Sequence, residues 1–226
     1  MTLLFEGIKA VGFDLDGTFL NTHVDYGRIN RADMMVCKDH GIPFDDLVFT
    51  TEKRLRQPIR DWLIANGRSD EIPAVEKEID EELTSTELEY LDDARPFPGS
   101  LECVDVLRSK GFKVGLLTRG SYEYGDRALR MFGVRDGFDA VVGRDYADYD
   151  HAKPSPKAML YFANELGVKA SEILYIGDNR TDYHSARDAG SVFVGTCSGS
   201  MSREGWLEEN PDMLTVEYAG DIVRFL

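Results

Sequence analysis

Phe13-Asp14-Leu15-Asp16-Gly17-Thr18 closes an apolar run that begins at Ile8, and the reading of this stretch decides the fold. The run is short, carries Ile, Val and Phe, and stops abruptly at two carboxylates and a glycine. That pattern predicts a buried strand delivering Asp14 to the carboxyl edge of its sheet. In open α/β sheets this is the edge where ligands bind. Two positions on, Asp16 leaves on the same side, and Gly17 permits the tight turn that keeps both acids near one point. Two anions at one point repel. The arrangement becomes favourable around a divalent cation such as Mg²⁺, which takes a few carboxylate oxygens, water and a substrate phosphate.

Outward from this strand the periodicity turns helical and stays so to about Asp93. Helices are predicted over Val24 to His40, stopped by Gly41 and Pro43, and from Thr50 or Thr51 to Asn66-Gly67. Leu55, Ile59, Trp62 and Leu63 form the apolar stripe of the second. Ile72, Val75, Ile79 and Leu83 give a third, with a restart expected near Thr84-Ser85. Because this block precedes any second strand, it reads as an inserted all-helical domain, residues 21–93, expected to sit over Asp14. Arg95-Pro96-Phe97-Pro98-Gly99 marks the return. From there strands (112–117, 138–142, 173–176, 192–194) alternate with helices (101–110, 122–132, 156–166, 182–189), and 219–226 reads as a closing helix. Such alternation predicts an α/β core of residues 1–20 and 94–226, a Rossmann-like parallel sheet with helices on both faces.

Each strand of that sheet presents its following residues at the edge that holds Asp14. After 112–117 comes Thr118-Arg119-Gly120, where a hydroxyl and free amides at a helix start could hold a phosphate, although Thr is also a common cap or turn residue. Lys153, extended by Pro154, offers a point charge or else a solvated loop lysine. After 173–176 comes Gly177-Asp178-Asn179-Arg180-Thr181-Asp182. A helix starting near Asn179 places Asp178 and Asp182 one turn apart, facing the same point as Asp14 and Asp16. A second carboxylate pair at a second strand end strengthens the case for a metal.

These residues in this order, Asp14-Leu15-Asp16-Gly17-Thr18, Thr118, Lys153-Pro154 and Gly177-Asp178-x-x-x-Asp182, resemble the haloacid dehalogenase-like hydrolase superfamily over nearly the whole chain. The helical insertion resembles the cap domain of its phosphoglycolate phosphatase and β-phosphoglucomutase branch. The resemblance implies a Mg²⁺-dependent phosphatase acting on a small phosphorylated metabolite through an aspartyl phosphate. It implies a nucleophilic Asp14, an acid/base Asp16, phosphate contacts from Thr118 and Lys153, and metal held by Asp14, the Asp16 carbonyl and Asp178, with Asp182 beside it. Arg119 stands where many relatives carry Asn, and it joins Gly120 as a candidate for substrate contact. The aspartate at position 16 favours phosphate chemistry over carbon–halogen cleavage, since a halide leaves without a proton. A phosphosugar mutase, and a silent binding protein on the same scaffold, are the alternatives.

Composition narrows the partners. A formal net charge of -15 over 226 residues argues against nucleic acid, whose backbone must be met by Lys and Arg. Residues 70–93 hold eleven Asp or Glu against Lys77 alone, read as a solvated helix face. No apolar run approaches the ~20 residues of a membrane span. The start lacks the pattern of a secretory signal, and three scattered cysteines fit free thiols, so cytoplasm is the expected location. Within the insertion, Lys53, Arg56 and Arg60 are expected to form a cationic face opposite the apolar stripe, where Arg56 and Arg60 either clamp the far end of an anionic substrate or pair, as a solvated face, with neighbouring acids.

Overall fold

Six short strands, β1 (Ala10–Phe13), β4 (Lys113–Leu117), β5 (Ala140–Val142), β6 (Ile173–Gly177), β7 (Val192–Thr196) and β8 (Thr215–Val216), form one parallel sheet. This is seen in a computed structural model that describes residues 3–47 and 56–226. The sheet order is β5-β4-β1-β6-β7-β8, which sets β1 between β4 and β6. Lys113 and Ile173 both stand in register with Ala10. All of β1 and β6 is buried, as is β4 after Lys113. A parallel strand covered on both faces needs a continuous apolar run rather than alternation.

The crossovers carry α4 (Ser100–Ser109), α5 (Tyr122–Met131), α6 (Pro156–Glu165) and α7 (Arg180–Ala189), followed by α8 (Arg203–Glu209). Ser121, Ser155, Asn179 and Ser202 cap the last four through side-chain oxygens that accept backbone N–H groups. Ala158, Met159, Phe162, Ala163 and Leu166 of the α6 region pack with Ile173 and Tyr175 in one buried cluster.

The chain divides into two compact units, 1–23 with 93–226, and 24–92. The second contains α1 (Tyr26–Asp39), α2 (Arg56–Ala65) and α3 (Ile72–Glu89). Its core joins Val36, Cys37, Ile42, Leu47, Ile59, Leu63, Val75, Ile79 and Leu83. The expected start at Thr50 or Thr51, Leu55 of the stripe and Lys53 of the cationic face lie outside the described residues.

Several expectations are corrected. Helix α3 runs unbroken through Thr84-Ser85, because single β-branched and Ser residues lower helix propensity without ending a helix. Two-residue strands β2 (Leu20–Asn21) and β3 (Arg95–Pro96) pair antiparallel where a helix and a linker were expected. The closing segment Ala219–Phe225 is a 3₁₀ helix. Cys37, Cys103 and Cys197 are free thiols, in line with the expectation. Among the described residues, no helix is long and apolar enough to cross a membrane.

Candidate active site

The end of β1 sets the site. Asp14 N–H donates to Ile176 O at 2.9 Å, so the ladder to β6 reaches one residue past Phe13 before the chain turns. Gly17 then adopts φ +80°, left-handed backbone that favours glycine. The carboxylates of Asp14, Asp178 and Asp182, all buried, come together with one oxygen of each within 4.8 Å of the others. Asp182 lies in the first turn of α7, where its Oδ2 accepts the Asn179 N–H at 3.1 Å.

One cation answers these three anions. Lys153, 2% exposed, approaches Asp14 Oδ1 and Asp182 Oδ1 at 2.6 Å each. It also reaches the Leu117 carbonyl at 2.8 Å and the Tyr175 hydroxyl at 2.9 Å. Tyr175 in turn donates to Leu117 O at 2.6 Å, which pins the ammonium to the end of β4. Lys153 is thus no solvated loop lysine.

Electrostatics follow from burial. Removal from water pushes the Asp14 carboxyl up to about 6, with Asp178 and Asp16 adding to the rise against the pull of Lys153. Asp182 is likewise pushed up to about 6, by burial and then by Asp14. Burial and Asp182 also raise Asp178, while the Ser200 N–H works the other way. Burial by itself would depress the Lys153 ammonium, but Asp14 and Asp182 outweigh it and hold the group protonated.

Three buried carboxylates around one ammonium offer an all-oxygen donor set with an excess of negative charge, which suits a hard divalent cation. The carboxylate of Asp16 stays outside this group. Its Oδ1 accepts hydrogen bonds from Thr22 Oγ1 at 2.5 Å and from the Tyr124 hydroxyl at 2.6 Å. Thr118 is buried at the end of β4, and its Oγ1 accepts the Gly120 N–H at 2.9 Å, the turn geometry open to a Thr there. Gly120 is buried and the Arg119 side chain is exposed.

The cationic face takes a different form. Arg56 is buried on the side of α2 that carries Ile59 and Leu63, because residues three and seven apart share a helix face. Its guanidinium grips Asp80 of α3 with both terminal nitrogens, at 2.9 and 2.5 Å, and Arg60 pairs with Glu76.

One contributor went unread in the sequence. The loop after β7 returns to the site, with the Ser200 N–H donating to Asp178 Oδ2 at 2.6 Å and Ser198 Oγ to Gly17 O at 2.7 Å. A Cβ on Gly199 would collide with that same Asp178 carboxylate. Its position at another strand end was the available signal, but Cys-Ser-Gly-Ser contains no carboxylate or cation to attract notice.

The family model of the haloacid dehalogenase-like hydrolases matches residues 8–190. The chain is 26% identical over 221 residues to a phosphoglycolate phosphatase of Vibrio parahaemolyticus, with 92% of each chain covered. It is 28% identical over 193 residues to an N-acetylmuramic acid 6-phosphate phosphatase of Pseudomonas aeruginosa, covering 81% of this chain and 79% of that one. Among solved structures, a hydrolase from Pseudomonas syringae superposes with a TM-score of 0.65 at 20% identity over 96% of both chains, a likeness of fold.

Proposed function

Because this chain belongs to the haloacid dehalogenase-like hydrolases, we propose that it is a Mg²⁺-dependent phosphatase that hydrolyses a small phosphate monoester through an aspartyl phosphate on Asp14. The observation that carries this reading is the buried excess of carboxylate, Asp14, Asp178 and Asp182 around the single ammonium of Lys153. Two relatives with different named substrates, phosphoglycolate and N-acetylmuramic acid 6-phosphate, support the class of small phosphorylated metabolites. The helical unit, residues 24–92, is read as the cap.

Phosphate monoesters hydrolyse extremely slowly unaided, so the site must supply a nucleophile and stabilise the transferring group. Asp14 attacks phosphorus, its new O–P bond forming as the ester P–O bond breaks. Asp16 gives a proton to the departing oxygen, then takes one from the water that attacks the aspartyl phosphate and frees Asp14. Asp14, Asp178 and Asp182 would hold Mg²⁺ with help from the Asp16 carbonyl. When bound, the ion neutralises charge on the phosphoryl oxygens. Lys153 holds the Asp14 carboxylate by its Oδ1 and adds fixed positive charge beside the reacting group. Thr118 gives its hydroxyl proton to a phosphoryl oxygen while its Oγ1 keeps the Gly120 N–H, with Arg119 beside it.

A panel of small phosphate monoesters, assayed with Mg²⁺ and with excess chelator, tests this reading. Phosphate release that needs the metal and vanishes in Asp14→Asn is expected. Full activity in chelator or in that variant would sink it, and isomerised sugar phosphate in place of free phosphate would indicate a mutase.

A further inference from the structure

Tyr124 belongs to the first turn of α5, is 1% exposed and has no part in the steps above. A buried tyrosine is usually core, but its hydroxyl must then find a partner. Here that partner is Asp16 Oδ1, 2.6 Å away across 108 residues of sequence. The Thr22 hydroxyl donates to the same oxygen at 2.5 Å.

The ring itself is held at two further points. Its backbone N–H donates to the capping Ser121 Oγ at 3.2 Å. Gly120 lies flat against the ring, where a Cβ would come to 2.5 Å from Tyr124 Cδ1. The loop after β4 therefore builds a seat for a phenol whose polar end reaches the end of β1.

We propose that Tyr124 is a positioning residue for proton transfer by Asp16. The proposal rests on the reading of Asp16 as the group that gives and takes the proton. A carboxylate oxygen that accepts two hydroxyl donors has both lone pairs engaged, so the proton that moves rides on Asp16 Oδ2. In the first step Asp14 bonds to phosphorus, the ester P–O bond breaks, and the Oδ2 proton goes to the departing oxygen. In the second a water oxygen bonds to phosphorus, one water proton returns to Oδ2, and the Asp14–phosphorus bond breaks. Tyr124 stays neutral throughout. Its contribution is to fix the Asp16 rotamer, so that the same oxygen faces the leaving group and later the water.

Tyr124→Phe removes the hydroxyl and keeps the ring in its seat. With an alkyl phosphate, kcat is expected to fall about 10- to 100-fold while KM stays within about twofold, since orientation and not affinity is lost. p-Nitrophenolate needs no proton, so with p-nitrophenyl phosphate the transfer to Asp14 is spared, and phosphoprotein accumulates during turnover. A purely structural role would instead move KM, both steps and Tm together. That outcome, or a kcat within about twofold of wild type on the alkyl phosphate, overturns the proposal. Should Tyr124→Phe not fold, Thr22→Val removes the other donor to the same oxygen and is expected to give the same split. A wild-type protein that yields neither phosphate nor phosphoprotein from any monoester overturns the assignment of Asp16, and this proposal with it.

Discussion

Two clusters of charge, one in each unit, both set cations against carboxylates, but one is partly open to water and the other is buried. In the helical unit Arg56 of α2 meets Asp80 of α3, and Arg60 meets Glu76. At the edge of the parallel sheet Lys153 meets Asp14 and Asp182 with Asp178 close by, three anions to one cation. The pairs of the helical unit tie α2 to α3. An unbalanced cluster held out of water costs stability unless something positive joins it. The difference separates charge that links two helices from charge gathered in one buried cluster.

The largest effect should come from removing the single cation of the unbalanced cluster. Lys153→Met leaves three buried carboxylates with no ammonium, and kcat on a phosphate monoester is expected to drop about 10²–10³-fold, the usual cost of losing one fixed electrostatic donor. Steady-state kinetics at saturating Mg²⁺ measures it, and a loss below about threefold would mean that the metal alone balances the site.

A smaller effect is read in stability. Asp14 and Asp182 stand at about 6 in the folded, metal-free chain against an ordinary 3.8. Between those values the folded state binds more protons than the unfolded state, so this contribution to stability falls as pH rises from about 4 to about 6. A metal removes the penalty and competes with those protons. The rise in Tm on adding Mg²⁺ should therefore be several degrees larger at about pH 7.5 than at about pH 5. Equal rises at both pH values would show that these carboxylates do not carry the metal.

The smallest effect on turnover belongs to the pairs of the helical unit. Arg56→Ala removes a buried guanidinium from Asp80, whose side chain is 34% exposed, and should cost about 1–3 kcal/mol of stability, seen as a Tm lower by several degrees. Both kcat and KM should stay within about twofold. A KM that rises for an anionic substrate and holds for p-nitrophenyl phosphate would instead restore Arg56 as a clamp.

What the sequence could reveal follows from how each residue announces its task. Asp14 and Asp178 directly follow strands and Asp182 lies in the first turn of the next helix, so edge position singled them out, whereas Lys153 stands well past β5 and drew its role from the resemblance. Tyr124 carried no such mark, since an aromatic residue on the buried face of an amphipathic helix looks like core, and only the coordinates show where its hydroxyl goes. Ser200 acts through its backbone N–H, which every residue but proline possesses. Strands β2, β3 and β8 are two residues long, too short for any periodicity to register. Helix α8 is seven residues long, too short for a helical period to register, although Ser202 caps it. Arg56 was misplaced by counting it with Arg60 rather than with Ile59 and Leu63, its neighbours on the helix face.

Strand β1 is the first strand of the chain and lies inside the sheet, between strands that begin only at Lys113 and Ile173. Asp178 receives its backbone donor later still, from Ser200. On the ribosome the residue read as nucleophile is thus made well before its surroundings, and the strand that bears it has no neighbour in the sheet until the chain has passed Leu117. Contacts this distant in sequence are slow to close. A nascent polypeptide short of residue 200 carries the acids of the site without the backbone that holds Asp178, so biosynthesis itself delays the assembly of the reaction centre.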